Sequence, residues 1–432
     1  MNLNRLVRWV AITAIILSAT LMLSMKGGVS YCFFVIFALA IIYLASAENR
    51  RYALVILCTH RLYVISMSAL PVVTTFQVLV LHEGRLAALD PMLRLILVIP
   101  IFLFLVSLPA YLLRRIEWGF VTGALLTGVW ALYVLVNPSA WQQPGRLGNS
   151  FINPIPFGDT ALLLGFLAVT SLDRNTYVNG IELNLKILAL VAGCLASYFS
   201  GSRGGWIALP WLIWVALSRR RWIESICSRI IISAALSVCL MLASIAPLVR
   251  ERFKEIGTDL YKLEHGQVMT STGQRLKLWQ ASLQLFVEHP IFGVGKGCLE
   301  PALIMLADRG KTPRIIANEH AHNEFLSILA ETGIFGTISL LLLYIGTFRL
   351  FWCEREHKNT TISTAAYLGL ALVGSTVIFG LTIDVLPLVM NSTFFALISA
   401  TLLATIASQK RELALCLHSN KTRICITTNK PL

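Results

Sequence analysis

Apolar runs of about 18 residues or more recur along this chain from end to end, each long enough to cross a ~30 Å hydrocarbon layer as a helix. In lipid the backbone must satisfy its own hydrogen bonds, so continuous apolar runs imply helices, and the alternation of membrane barrel strands is absent. Of the 432 residues 56% are hydrophobic and 13% charged, roughly half the charged fraction of an ordinary soluble domain. The fold class predicted is an all-α polytopic membrane protein.

The runs fall at 7–25, 29–47, 62–81, 93–113, 119–137, 156–172, 184–200, 204–218, 229–248, 331–351, 362–382 and 386–407, which predicts about twelve transmembrane helices. The first run follows Arg5 and Arg8 as a signal peptide would, but Lys26-Gly27-Gly28 leads directly into another run, so it reads as a retained span. His60 and Arg61 interrupt the pattern within 52–81, leaving either one long tilted helix or a broken one. The chain divides into helices one to nine (1–248), a large outer loop (249–330), helices ten to twelve (331–407) and a short basic tail (408–432).

The net charge of +14 is a statement about sidedness. Arg5, Arg8, Arg50, Arg51, Arg114, Arg115, Arg219, Arg220, Arg221, Arg229, Arg355, Lys358 and the tail fall on one side of the spans. The short loops of the other side carry only Lys26, Arg85, Arg94, Arg146 and Arg203. By the positive-inside rule the termini are cytoplasmic, so the charge calls for no nucleic-acid partner. The nine cysteines stand singly without a CxxC pair, which argues against a zinc site or a disulfide framework.

Span counting places the loop from about Ala246 to Ala330 outside. Within it Leu276, Trp279, Leu283 and Phe286 are spaced as a helical stripe, Glu288-His289-Pro290 ends that helix, and Gly293, Gly295 and Gly297 mark an irregular turn. The pattern predicts a small helical cap lying against the outer face of the bundle.

Three polar clusters fall on the outer side. Ser200-Gly201-Ser202-Arg203-Gly204-Gly205-Trp206 is a tight turn that offers N–H donors around a fixed guanidinium suited to phosphate, or else a plain turn whose arginine snorkels to headgroups. Thr270-Ser271-Thr272-Gly273-Gln274-Arg275 opens the amphipathic helix. Ser/Thr there read as N-caps, while Arg275 opposes the helix dipole unless an anion binds or water solvates it. Asn318-Glu319-His320-Ala321-His322-Asn323-Glu324 offers a histidine able to move a proton near neutral pH, or simply the polar end of a span. Its i, i+2 histidines do not share a helix face, which disfavours a metal site.

His322-Asn323, nine residues, then Gly333-Ile334-Phe335-Gly336 resembles the H-[NSQ]-x9-G-x-x-G pattern of bacterial O-antigen ligases. Ser202-Arg203-Gly204-Gly205, Gly273-Gln274-Arg275 with Trp279, and His289-Pro290-Ile291-Phe292-Gly293-Val294-Gly295 are similar, in order and spacing, to the outer region of the ligase/polymerase superfamily. The resemblance implies a GT-C-like glycosyltransferase architecture in the bacterial inner membrane, with its active site and large helical loop on the periplasmic face. It further implies transfer of O-antigen polysaccharide from undecaprenyl pyrophosphate to a sugar hydroxyl of lipid A–core, with no metal or other cofactor. His322 would be the base, attack would invert the anomeric carbon, and Arg203 and Arg275 would hold the pyrophosphate. Gln274, Asn323 and His320 would line the substrates. An O-antigen polymerase and a protein O-oligosaccharyltransferase use the same donor and are the near alternatives. A transporter or flippase would show repeated halves and midplane charges, and neither is evident here.

Overall fold

The computed structural model describes residues 3–137, 145–172, 180–220, 271–316 and 321–428. Among these the chain is helical, with only isolated β-bridges and no strand. The helices are α1 (Leu3–Thr20), α2 (Gly28–Ala45), α3 (Ala47–Thr59), α4 (Arg61–Leu79), α5 (Leu89–Val106), α6 (Ala110–Leu113), α7 (Ile116–Val136), α8 (Pro154–Thr170), α9 (Gly180–Ser200), α10 (Arg203–Trp206) and α11 (Leu209–Arg220). They continue with α12 (Ser271–Glu288), α13 (Leu299–Asp308), α14 (Glu324–Glu354), α15 (Thr360–Gly380) and α16 (Val389–Thr428).

Among the described residues, eight stretches are long and apolar enough to cross a membrane: α2, α4, α5, α6 with α7, α9, α14, α15 and α16 as far as Cys416. The more polar α1 and the shorter α8 and α10–α11 pack into the same bundle, α1 against α7, α8 against α9 and α11 against α15. The span expected at 229–248 and the outer loop as far as residue 270 lie outside the described residues.

Several boundaries differ from the sequence expectation, each for a local reason. The interrupted stretch at 52–81 is two helices, α3 and α4, meeting at His60, whose ring lies edge-on to Phe102 with centroids 5.3 Å apart. The span expected from 331 begins at Glu324, because the Asn323 carboxamide oxygen accepts from the N–H groups of Phe325 and Leu326 and caps the helix there. The last span does not stop near 407 but continues as helix to Thr428. Its extension is docked: Arg411 donates to the Tyr52 hydroxyl at 3.0 Å, Glu412 accepts from the Ala110 N–H at 3.1 Å, and Lys410 pairs with Glu354.

The segment that begins at α12 has its own small core. Leu278, Ala281 and Leu285 of α12 meet Leu299, Ala302, Leu303 and Leu306 of α13, closed by Ile316, Ala321 and Ala330. The stripe read from the sequence is therefore rotated: Leu283 is exposed and Leu278 and Leu285 are buried. Apolar residues lie nearly all round α12, so spacing alone did not select a face. The indole of Trp279 is drawn aside by its hydrogen bond to the Ala321 carbonyl. Exposed Leu283, Val287 and Ile291 follow one another at helical spacing down to the edge of the bundle.

The connections between helices sort into two ends. One end gathers Arg114, Arg115, Arg355, Lys410 and Arg411, and there α16 meets α6 and Tyr52. The opposite end carries the 80–88, 145–153, 289–298 and 381–388 segments and the α1–α2 turn. With nine native cysteines removed, a membrane-impermeant maleimide applied to intact spheroplasts is expected to label Glu83→Cys and spare Lys358→Cys. Labelling of the second and not the first would invert the topology.

Candidate active site

At that opposite end a cavity of about 720 Å³ opens among six separate segments. Lys26, Gly27 and Ser30 come from the α1–α2 turn, Arg85 to Pro91 from the start of α5, and Phe151 to Pro156 from the approach to α8. Lys296 to Glu300, His322, Glu331 and the 383–390 stretch complete the wall.

A kink in α14 organises this wall. Gly333 has φ 62 and ψ −154 in the middle of the helix, a conformation open essentially to glycine alone. The break frees backbone groups, and the loop after α12 takes them up: Val294 N–H donates to Ala330 O and Gly295 N–H to Glu331 O, both at 2.9 Å, while Ile334 N–H donates to Pro290 O at 3.0 Å. The approach leaves no room for side chains. A Cβ on Gly333 would lie 2.4 Å from Ile291 O, and one on Gly293 2.4 Å from Ala330 O. Gly293, Gly295 and Gly297 all have positive φ, in line with the irregular turn expected of them.

Side chains lock the same junction. Lys296 and Glu331, both buried, form an ion pair, and Glu331 also accepts from the Gly297 N–H at 3.1 Å. Gln77 of α4 donates to Glu331 O and Phe292 O and accepts from the Lys296 N–H. Burial raises the Cys298 thiol above its ordinary range.

His322 stands where this clamped helix begins. Its φ of 49 is left-handed, a conformation shared among the described non-glycine residues only by His82 and sustained only where neighbours fix it. Here Trp279 holds Ala321 O at 3.0 Å on one side and the Asn323 cap holds the helix start on the other. The His-Asn pair is thus a helix cap that turns the preceding imidazole onto the cavity wall. One residue on, the buried Glu324 carboxylate accepts from Tyr344 OH and from Leu386 N–H, and Ser327 Oγ donates to Asp384. The first turn of α14 therefore fixes the 381–388 segment, which brings Ile383 and Asp384 to the cavity.

The other expected residues are placed unequally. Arg275 and Gln274 are half-buried on α12 and are not among the described residues lining the cavity. Arg275 is one turn before Trp279, whose hydrogen bond ties α12 to the residue beside His322. The backbone of Arg203 lies in α10, where Ser202 Oγ donates to Asp159 and a Cβ on Gly204 would meet Thr382, two residues from Asp384. The side chain of Arg203, and all of His320, lie outside the described residues.

Sequence reasoning placed Lys26, Arg85 and Glu324 at this end but named none of Lys26, Arg85, Lys296, Glu331, Glu324 and Asp384 as site residues. A signal was available for two of them: Lys26 and Arg85 are exceptions to the scarcity of cations in the outer loops. The other exceptions fall nearby. Arg94 is one turn below Pro91, and Arg146 Nε donates to Ser200 O, three residues before Arg203.

Two stability effects follow. Gly333→Ala is expected to lower the thermal midpoint in detergent, costing on the order of 1–3 kcal/mol from backbone strain alone, with more if the 290–295 loop is displaced. An unchanged midpoint would mean that α14 does not need this kink. Lys296→Met and Glu331→Gln should each cost about 3 kcal/mol by leaving a lone buried charge, and the double variant should cost less than the sum. Strict additivity would deny the pair.

The O-antigen ligase family model matches residues 188–341, a span that holds Arg203, Arg275, Lys296, His322, Glu331 and the Gly333 kink. The O-antigen ligase of Escherichia coli K12 is 25% identical over 146 residues, which cover 32% of this chain and 35% of that protein. A Haemophilus influenzae protein described only as uncharacterized is 23% identical over 312 residues, 70% of this chain and 75% of that protein. These matches, over a segment that includes the His-Asn cap and the Gly333 kink, make the chain similar to the O-antigen ligase family.

Proposed function

We propose that this chain is an O-antigen ligase of the bacterial inner membrane. It transfers O-antigen polysaccharide from undecaprenyl pyrophosphate to a sugar hydroxyl of lipid A–core on the periplasmic face. The observation that carries this reading is His322 on the wall of a cavity at the end of the bundle away from the main basic cluster. That is where a membrane-anchored donor and a water-exposed acceptor hydroxyl would meet.

In this reading His322 takes the proton of the acceptor hydroxyl as the oxygen attacks the anomeric carbon, and inversion follows from a single displacement. The pyrophosphate leaves with the polyprenyl chain. Arg203 and Arg275 would stabilise its growing charge with guanidinium groups that never deprotonate, a role open to fixed cations without a metal. Gln274, Asn323 and His320 are the neighbouring groups assigned to substrate contact. For Asn323 the carboxamide oxygen already caps α14, so its contribution to substrate would come from the amide nitrogen.

A polymerase would use the same donor and extend the lipid-linked chain instead, and a protein oligosaccharyltransferase would pass the glycan to a hydroxyl on a protein. The His-Asn-x9-Gly-x-x-Gly pattern and the similarity to the E. coli ligase favour the first reading. A ligase-null host of matched core type separates them. The intact protein should restore the lipopolysaccharide ladder, and His322→Ala should abolish it while undecaprenyl-linked polymer accumulates, with a loss of at least about 100-fold in transfer. A well-expressed intact protein that gives no ladder would remove the ligase assignment and bring the polymerase forward.

A further inference from the structure

A ligase of this kind handles two membrane-anchored substrates, and the basic residues assigned to the donor lie on α10 and α12. A different group of cations lies at the α1–α2 turn, on the cavity wall, and in α5 just after Pro91 of that wall. Lys26, in the turn between α1 and α2, lines the cavity, is exposed, and has no hydrogen bond or ion pair among the described residues. Arg94 of α5 is 6% exposed and stands over Phe34 of α2 at 4.4 Å from the ring centre. Its Nε and Nη2 donate to Asp90, while Nη1 is buried without an acceptor. A buried donor left unpaired is costly, and an exposed lysine left unpaired at a cavity rim is a ready anion ligand.

The two cations bracket the first turns of α2, and from there the helix shows an apolar stripe outward. Tyr31, Phe34, Val35, Ile41 and Ile42 are 63%, 45%, 44%, 48% and 68% exposed, at positions that share one helix face. The stripe runs the length of a span and starts beside the cavity that holds His322. Cations at the outer end and an apolar track below them suit a ligand with an anionic headgroup and acyl chains.

Building on the ligase reading, we infer that Lys26 and Arg94 form the entry subsite for the acceptor, a phosphorylated glycolipid whose phosphate sits at Lys26 and whose acyl chains lie along α2. The donor pyrophosphate then approaches from the α10 and α12 side, and the two lipids reach His322 from different directions. Neither Lys26 nor Arg94 lies in the 188–341 segment that matches the family model.

The test uses full-length protein in nanodiscs, with lipid A–core as isolated and after phosphatase treatment. Lys26→Ala is expected to weaken binding of the phosphorylated glycolipid about five- to tenfold, the scale of one charge-assisted hydrogen bond. Lys26→Arg should retain binding, and the dephosphorylated glycolipid should bind wild type and Lys26→Ala alike. In ligation assays the KM for acceptor should rise by the same factor while the KM for donor holds. Equal binding of both glycolipids by the wild type would overturn the subsite, and a rise confined to the donor KM would move Lys26 to the pyrophosphate. Phosphate-dependent binding without any transfer would uphold the subsite and count against the ligase reading alone.

Discussion

The junction between the α14 kink and the loop after α12 is the constraint on which this end of the molecule rests. A helix broken inside a membrane protein exposes backbone groups that neither lipid nor a neighbouring helix face can satisfy. Here Pro290 O, Val294 N–H and Gly295 N–H complete them, and the Lys296–Glu331 pair closes the joint in a buried setting. The glycines follow from that geometry. Gly293 and Gly333 are places where two backbones approach so closely that a methyl group would overlap a carbonyl oxygen. The cap is thereby fastened to the helix whose first residue is Glu324, and the chain just before it carries His322. A motif of one histidine and two glycines thus has two physical layers, a reactive side chain and the kink that fixes its position.

Much of the architecture was legible because apolar length and charge asymmetry are strong signals in a membrane protein. Helix positions agree with the apolar runs to within a few residues over α2, α4, α7 and α15. The departures have specific origins. Asn323 caps α14 earlier than hydropathy suggests, since Glu324, Ser327 and Glu331 interrupt the apolar residues although the helix is already formed. The extension of α16 is polar, and its helicity depends on contacts with Glu354, Tyr52 and Ala110 that are distant in sequence. On α12 the face that is buried was not readable from spacing because both faces are apolar.

For the site, local motif spacing identified His322 but not the groups that hold it. Glu324, Tyr344 and the Leu386 N–H meet across 62 residues, and Gln77 reaches Lys296 across 219. Such contacts have no local signature. The left-handed backbone at His322 was equally hidden, because nothing in a histidine's neighbours along the chain demands positive φ. The Trp279–Ala321 hydrogen bond and the Asn323 cap impose it together.

Charges at the two ends of the bundle behave differently, and the difference bears on function. At the basic end Lys186 is fully buried, yet it is bonded to Glu117 at 3.0 Å and to Glu182 at 2.7 Å, with Arg114 3.8 Å from Glu117. Such a cluster satisfies itself, joins α7 to α9 and needs no ligand. At the cavity end Lys296 is satisfied in the same way by Glu331, but Lys26 has no partner among the described residues and Arg94, paired with Asp90, keeps one idle donor. Positive charge is also sparse in the loops of this end, which makes each retained cation harder to explain as topology. Fully paired cations therefore read as structure, and spare donors at the cavity end, as at Lys26, read as places kept open for anionic groups arriving with the substrates.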